Sequence, residues 1–250
     1  MTVESWWAFL SAVAVINIAA WLYAATTLKR HQTRQLQLIL SGLYVFGCAF
    51  RSFLPLYDIP RMCLVDSWAS SVLIGRSVAT LAEVAFAAQW AVFLRDRKVS
   101  LAIVPLIVIA EICSWYAVLT TANLGHVFEN SLWGICGALI VASLFMMVPK
   151  CPANRRPMLV AWAVAGTLYV AFIFIVDVPM YWSRWITDQA NAREYLTIAQ
   201  GIADASACKV VSFRWEDWRN EVAWMTLYFS VGVWVSISLI FVAAPAKAQE

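Results

Sequence analysis

An arginine and a glutamate stand inside one long apolar stretch of the chain. Residues 72–94 read VLIGRSVATLAEVAFAAQWAVFL, with Arg76 and Glu83 near the middle. Their seven-residue spacing places both side chains on one helical face, about 10 Å apart along the axis. Because a charge in the hydrocarbon of a bilayer costs about 2.5–3.5 kcal/mol or more, such residues indicate function. At this spacing we expect no direct contact between them, and each should have its partner on another helix.

Other apolar stretches supply polar side chains that we expect in the outer half of the same bilayer. In HVFENSLW, the spacing of His126, Glu129 and Trp133 is typical of one helical face. The predicted ligand-binding residues are Arg51, Arg76, Glu83, Glu111, His126, Glu129, Asn130, Trp133, Asp177, Glu221, Trp224 and Tyr228. Together they predict a charged cavity that opens to the extracytoplasmic side and has its floor near Arg76 and Glu83.

These residue types fit three classes of function. The first is binding or transport of a small polar, anionic or amphiphilic ligand, in which arginines meet an anionic group and acids balance charge or carry protons. The second is an intramembrane enzyme acting on a lipid or isoprenoid, with Glu129 or Asp177 as general acid or base and His126 as base or metal ligand. The third is a subunit of a larger membrane complex or a homo-oligomer. We favour the first class because the chain shows no dense metal or nucleophile motif.

The sequence predicts no confident metal site and limits the cofactors. His126, Glu129 and Asp177 are the candidate ligands, but one histidine with two carboxylates is a poor zinc site. The other histidine, His31, is expected on the opposite side of the membrane, which excludes haem with two axial histidines in a monomer. A retinal Schiff base is excluded because every lysine lies outside the predicted spans: Lys29, Lys98, Lys150, Lys209 and Lys247.

The composition sets the class of protein that must hold these residues in place. Hydrophobic residues make up 62% of the chain and charged residues 13%, whereas soluble domains have about 45–50% apolar and about 25% charged residues. A soluble fold could not bury so much apolar surface. The composition therefore predicts an all-α, polytopic membrane protein in contact with lipids. A net charge of +3, without a basic stretch interleaved with aromatics, argues against nucleic acid as a partner.

Seven stretches are long enough to cross a bilayer, which requires about 20 apolar residues in a helix. They are residues 5–27, 36–56, 68–94, 100–121, 127–148, 158–180 and 221–243. Basic residues follow the first, third and fifth stretches: Lys29, Arg30 and Arg34; Arg95, Arg97 and Lys98; Lys150, Arg155 and Arg156. By the positive-inside rule the N-terminus is extracytoplasmic and the C-terminus cytoplasmic. A plasma or inner membrane is the expected location.

We interpret residues 1–250 as one domain with a single sizeable extracytoplasmic loop, 181–220. Within it, TDQANAREYLTIAQGIADA is expected to be helical with Asp188 as its N-cap, and CKVVSF to be extended. The stretch RWEDWRNE is predicted at the membrane surface, either as an aromatic belt or as a lid over the cavity. Cys63 and Cys208 both fall on the extracytoplasmic side, so an oxidising compartment would allow a disulfide between them.

Weak internal similarity indicates a parallel repeat. The first and fifth spans open with SWW and SLW, the second and sixth end in LPLY and VPMY, and the third and seventh follow DSW and EDW. The pattern predicts two related three-helix groups with the fourth span as connector. This layout is similar to that of SWEET-type sugar transporters, but the chain has no Pro-Gln dipeptide and no proline in its first span. No family is assigned on these residues.

Overall fold

The computed structural model of the chain describes residues 2–29, 31–59, 61–94 and 96–242. Within these ranges, seven mostly continuous helices are long and apolar enough to cross a membrane. The predicted helical class and the number of membrane-length helices are thereby confirmed. Predictions that concern Arg30, Arg95, Ala243 and Lys247 lie outside the described residues.

The regular structure of the described residues includes ten α-helices and three two-residue strands. The helices are α1 (Val3–Thr27), α2 (Gln32–Phe53), α3 (Val72–Phe93), α4 (Arg97–Thr120), α5 (Asn123–Met147), α6 (Arg156–Phe172), α7 (Val178–Ala190), α8 (Ile198–Ala205), α9 (Trp215–Leu227) and α10 (Val233–Val242). Two π-helical segments, Ile173–Asp177 and Tyr228–Gly232, continue α6 into α7 and α9 into α10. The chain divides into two compact units: Met1–Gln89 with Ala203–Glu250, and Trp90–Ile202.

Several helix ends differ from the predicted spans for local reasons. α2 ends at Phe53, three residues early, because Leu54 precedes Pro55 and the residue before a proline disfavours helical backbone. α3 begins at Val72, because Trp68–Ser70 forms a separate 3₁₀ turn. The Ser67 hydroxyl caps that turn by accepting a hydrogen bond from the Ala69 N–H.

The predicted loop 181–220 contains more helix, and in a different place, than expected. The sixth membrane-length helix runs on to Ala190. It stops where Ala192 adopts a left-handed backbone with φ of 49°, and α8 begins only at Ile198. The prediction of one helix capped by Asp188 is wrong. Asp188 lies inside α7, and its carboxylate accepts hydrogen bonds from Asn123 at 2.7 Å and Arg193 at 3.1 Å.

The first unit is built around tryptophans that join its two chain segments. Trp6 is fully buried in α1, and its indole N–H donates to the Thr226 hydroxyl in α9 at 3.0 Å. Its ring lies 5.7 Å from that of Trp218, centroid to centroid. In the same unit, α2 and α3 approach closely at Gly47, where an added Cβ would lie 2.7 Å from the Cβ of Ala82. A larger side chain at Gly47 would push these two helices apart.

A small three-stranded sheet in the first unit joins the segment between α2 and α3 to the segment between α8 and α9. β1 (Leu56–Tyr57) pairs antiparallel with β2 (Met62–Cys63), which pairs parallel with β3 (Val210–Val211). The turn before β2 needs a left-handed backbone at Arg61, whose φ is 66°. The Sγ atoms of Cys63 and Cys208 are bonded in the structure. The extended conformation predicted for CKVVSF is present at β3.

The second unit is an arrangement of α4, α5, α6 and α7. α4 and α5 form an antiparallel hairpin whose turn contains Thr121 in the left-handed conformation, with φ of 60°. Gly125 lets the two helices meet: an added Cβ there would lie 2.7 Å from the Cys113 carbonyl oxygen and 2.8 Å from the Ala117 Cβ. The glycine therefore fixes the level at which residues of α4 and α5 face each other.

We expect the Cys63–Cys208 bond in protein purified without reductant. Cys63 lies in β2 and Cys208 lies two residues before β3, so the pairing of these strands already holds the two cysteines close together. Peptide mass spectrometry under non-reducing conditions should find the crosslinked peptide, which should disappear after reduction and alkylation. Recovery of both cysteines as free thiols without reductant would contradict the pairing.

Candidate functional site

In the first unit, Arg76 and Glu83 contact each other directly. The Arg76 Nη2 atom lies 3.3 Å from the Glu83 Oε2 atom, and both side chains are largely buried. The expectation that seven residues separate them too far for contact is wrong. Side chains on a helix tilt toward its N-terminus, so Glu83 leans toward Arg76, and the long arginine side chain spans the remaining distance.

Arg51, in the last turn of α2, is buried and forms no ion pair with any residue that the structure describes. It is 5% exposed. Among the described residues, its one hydrogen bond runs from Nη2 to the Leu56 carbonyl oxygen at 3.3 Å, and its buried Nε–H has no acceptor. A position near the carboxyl end of a helix favours a cation. Guanidinium nevertheless carries five N–H donors, so most of its hydrogen-bonding capacity is unused.

Arg51 differs from the other buried arginines in lacking a carboxylate partner among the described residues. The described residues include three of them, Arg51, Arg61 and Arg76. Arg61 pairs with the Asp204 carboxylate at 2.8 Å and also donates to the Asp58 carbonyl oxygen at 3.0 Å. Arg76 pairs with Glu83. Arg51 alone of the three has no carboxylate partner among the described residues.

The neighbourhood of Arg51 combines charge with aromatic rings. Tyr44, Cys48 and Arg51 follow the helical spacing i, i+4, i+7 on α2. All three side chains are buried. The Tyr44 ring stacks on Phe86 at 4.4 Å and meets Tyr228 edge-on at 5.8 Å. The buried charges of α2 and α3 leave one positive charge in excess.

The predicted face of α9 also lies in this unit. Glu221 is buried, and its carboxylate accepts a short hydrogen bond from the Trp224 indole N–H. Trp224 and Tyr228 are half-buried and meet edge-on, with 6.2 Å between ring centroids. The structure thus brings the predicted Glu221, Trp224 and Tyr228 together on one face and joins them to Tyr44 through Tyr228.

A separate polar cluster in the first unit is closed. The Gln89 amide donates to the Gln37 side-chain oxygen at 3.0 Å and to the Ser236 carbonyl oxygen at 3.2 Å, and accepts from the Ser236 hydroxyl at 2.5 Å. The same hydroxyl lies 2.9 Å from the Ser41 hydroxyl. These fully buried groups form hydrogen bonds to one another, so the cluster joins α2, α3 and α10. We therefore do not consider it a ligand site.

In the second unit, His126 and Glu129 form a hydrogen-bonded pair. The His126 Nδ1 and Glu129 Oε2 atoms are 2.7 Å apart, and both side chains are buried. The Tyr181 ring lies 4.8 Å from the imidazole, and the Arg184 guanidinium sits 5.3 Å above the Tyr181 ring. These contacts hold the imidazole plane while Glu129 holds its Nδ1 atom.

The other predicted residues of this unit differ in their closeness to that pair. Carboxylate oxygens of Glu111 and Glu129 lie within 4.8 Å of each other. Asn130 uses its amide to donate to the His126 main-chain carbonyl at 3.0 Å, so it supports the helix. Trp133 and Asp177 are half-buried. Of the metal ligands considered, His126 and Glu129 contact each other directly, which uses the Nδ1 atom for a hydrogen bond.

Sequence reasoning missed several residues that shape these sites. Tyr181 and Arg184 follow Asp177 at i+4 and i+7, and recognising that α7 continues the sixth span would have placed them on its face. Gln37 and Gln89 are uncharged, so they did not stand out within their apolar stretches. Ser114, fully buried with an unpartnered hydroxyl among the described residues, lies one turn after Glu111 and gave no signal.

We expect Arg76→Leu to destabilise the protein more than the double change Arg76→Leu with Glu83→Leu. Removing Arg76 leaves the buried Glu83 carboxylate without this ion pair, and breaking a buried pair typically costs about 3–5 kcal/mol, whereas replacing both residues with apolar groups is often near neutral. Thermal midpoints in one detergent should therefore rank wild type and the double variant above the single variant. A double variant no more stable than Arg76→Leu alone would refute the pairing, and Arg76→Lys serves as the charge-retaining control.

Comparison with known proteins identifies no relative, so any proposed function has to be argued from the chemistry of these residues. The chain matches no family model, no curated protein and no solved structure.

Proposed function

We propose that the chain is an integral membrane protein that binds a small anionic or amphiphilic ligand at Arg51, entering from the extracytoplasmic side. The membrane is a plasma or inner membrane, with the N-terminus outside and the C-terminus inside. The basic residues after the first, third and fifth spans support this orientation. The parallel repeat of spans remains a prediction of the sequence. Transport of the bound ligand across the membrane is the activity we propose for this binding site.

The observation that carries the proposal is the buried, uncompensated guanidinium of Arg51. Burying an ion without a partner costs several kcal/mol, and a protein retains such a cost at a site that a ligand completes. Among the described residues, no acid pairs with Arg51 and its buried Nε–H has no acceptor. An anion would supply both the missing charge and the missing acceptor.

The chemistry of guanidinium selects the class of anion. Its planar fork matches the two oxygens of a carboxylate or phosphate in a bidentate hydrogen bond. The aromatic side chains of Tyr44, Phe86, Trp224 and Tyr228 lie in the same unit and offer apolar ring faces. A carboxylate or phosphate attached to an apolar group therefore fits the residues better than an inorganic anion alone.

We expect Arg51→Gln to weaken anion binding without destabilising the empty protein. Hydrogen bonds to a charged group contribute about 1.5–3 kcal/mol, so affinity for octanoate or an alkyl phosphate should fall by at least about tenfold. In the absence of anion, the thermal midpoint should stay equal or rise, because the change removes a buried, unpaired charge. Isothermal titration and thermal-shift assays of the purified protein in nanodiscs measure both quantities.

Matched controls separate this outcome from a structural role for Arg51. Arg219→Gln makes the same chemical change at an exposed position of the same unit and should leave affinity unchanged. Arg51→Lys keeps the charge but loses the planar fork, so it should bind more weakly than wild type. If Arg51→Gln lowers the midpoint of the empty protein while anion affinity is unaltered, the arginine is structural and the proposal fails.

Sidedness is tested by labelling cysteines with a membrane-impermeant maleimide in intact cells and in inverted vesicles. We expect a cysteine introduced by Asn191→Cys, at an exposed position after α7, to react from the extracytoplasmic side. Native Cys151 should react from the cytoplasmic side only, and its signal should vanish in Cys151→Ser. The reverse pattern would overturn the proposed orientation and the direction of ligand entry.

A further inference from the structure

Three polar atoms of the first unit are buried without a hydrogen-bond partner among the described residues. They are the Nε atom of Arg51, the Oδ1 atom of Asp58 and the hydroxyl oxygen of Ser70. Arg51 and Ser70 are buried as whole residues, and Asp58 is half-buried. Buried polar groups in proteins are normally satisfied, so each of these atoms has hydrogen-bonding capacity left for another molecule.

Leu56 relates these three groups to one another in space. The Arg51 Nη2 atom donates to the Leu56 carbonyl oxygen at 3.3 Å. Asp58 follows Leu56 by two residues, which span at most about 7 Å of chain. The Leu56 side chain packs on Gly75 of α3, where an added Cβ would overlap the Leu56 Cδ2 atom. Ser70 ends the 3₁₀ turn just before α3, five residues before Gly75, so all three groups lie where α2 stops and α3 starts.

Arg51 and Asp58 carry opposite charges at this end of the unit, yet they do not pair with each other. The Asp58 carboxylate forms no hydrogen bond or ion pair with any described residue. Arg61, three residues further on, donates to the Asp58 main-chain carbonyl at 3.0 Å and pairs through its Nε atom with the Asp204 carboxylate at 2.8 Å. A cation with unused donors and an acid with a buried, unused acceptor therefore remain within a few residues of Leu56.

We propose that the Arg51 site takes a zwitterion, an anion that also carries a protonated amine. This inference rests on the proposed anion site and adds the second charge of its ligand. Arg51 binds the carboxylate or phosphate, and the amine donates to the Asp58 carboxylate. The Ser70 hydroxyl is a further hydrogen-bonding group for the polar part of the ligand.

Electrostatics favours a zwitterion over a simple anion at such a site. An anion is attracted by Arg51 and repelled by Asp58, whereas a zwitterion meets an opposite charge at each end. Guanidinium and ammonium offer only donors, and a carboxylate offers only acceptors, so both contacts are matched. Because Leu56 lies close to both residues, the two ligand charges must be a few bonds apart, as in an α-amino acid or a phosphoethanolamine headgroup.

Paired ligands that differ in the amine test the proposal on the wild-type protein. Isothermal titration in an uncharged maltoside detergent should show L-phenylalanine binding at least about tenfold more tightly than 3-phenylpropanoate, because hydrogen bonds between charged groups are the strong ones. Dihexanoyl phosphatidylethanolamine and its N-acetyl derivative form the matched lipid pair. An amine preference in the first pair alone identifies a free amino acid, and in the second pair alone a lipid headgroup. No amine preference in either pair would overturn the proposal.

Asp58→Asn should remove the amine preference specifically. The change keeps the size of the side chain but removes its charge, so the affinity for L-phenylalanine should fall by about tenfold. Binding of 3-phenylpropanoate should stay equal or tighten, because a repulsion is removed. Asp66→Asn makes the same change at an exposed position of the same connection and should alter neither affinity. If Asp58→Asn weakens both ligands equally, or neither, the amine does not meet Asp58 and the proposal fails.

Arg51→Gln separates this inference from the anion site on which it rests. The variant should weaken both members of each ligand pair. If 3-phenylpropanoate binding depends on Arg51 but an added amine brings no gain, the anion site stands and the zwitterion is refuted. If neither ligand shows binding that depends on Arg51, the anion site and the zwitterion are both refuted.

Discussion

The seven membrane-length helices are so apolar that their few buried polar groups must find partners within the protein, as polar groups do wherever water is absent. Apolar side chains cannot specify which helices associate, because lipid tails are as apolar as leucine. Gln89 shows the alternative. Its amide and main chain bind Gln37 of α2 and Ser236 of α10, so a few hydrogen bonds select the neighbours of α3 within the first unit.

The same constraint accounts for the residues around the π-helical segment of the first unit. A π turn interrupts the regular pattern of main-chain hydrogen bonds. The Asn17 amide compensates by donating to the Phe229 carbonyl oxygen at 2.9 Å, and its own oxygen accepts from the Trp234 indole at 2.9 Å. Asn17 of α1 therefore supplies hydrogen bonds to the neighbouring π-helical region, at Phe229 and Trp234. Gly232 completes the fit, since an added Cβ there would lie 2.7 Å from the Tyr44 hydroxyl.

Much of the fold, and the location of charge within it, follows from the sequence, whereas the pairing of side chains does not. Hydropathy predicts the seven membrane-length helices because length and apolar composition are local properties. A charge in an apolar stretch is equally visible, so the burial of Arg51, Arg76 and Glu111 was predictable. Whether two side chains touch depends on their length and direction, which the distance between their positions along the helix axis does not include. The Arg76–Glu83 contact was missed for that reason. Asp188 was misplaced because the interactions that fix it, with Asn123 and Arg193, are set by tertiary structure.

The open charge of Arg51 can be traced to the point where α2 ends. Arg76 finds its acid seven residues later on the same continuous helix. An acid also stands seven residues after Arg51, at Asp58, but Pro55 lies between them and the helix stops at Phe53. Asp58 is carried into the turn before β2, where one of its carboxylate oxygens is buried without a hydrogen-bond partner among the described residues. The same sequence spacing thus pairs Arg76 with an acid on its own helix but not Arg51, because α2 ends before Pro55 and Asp58 lies beyond it.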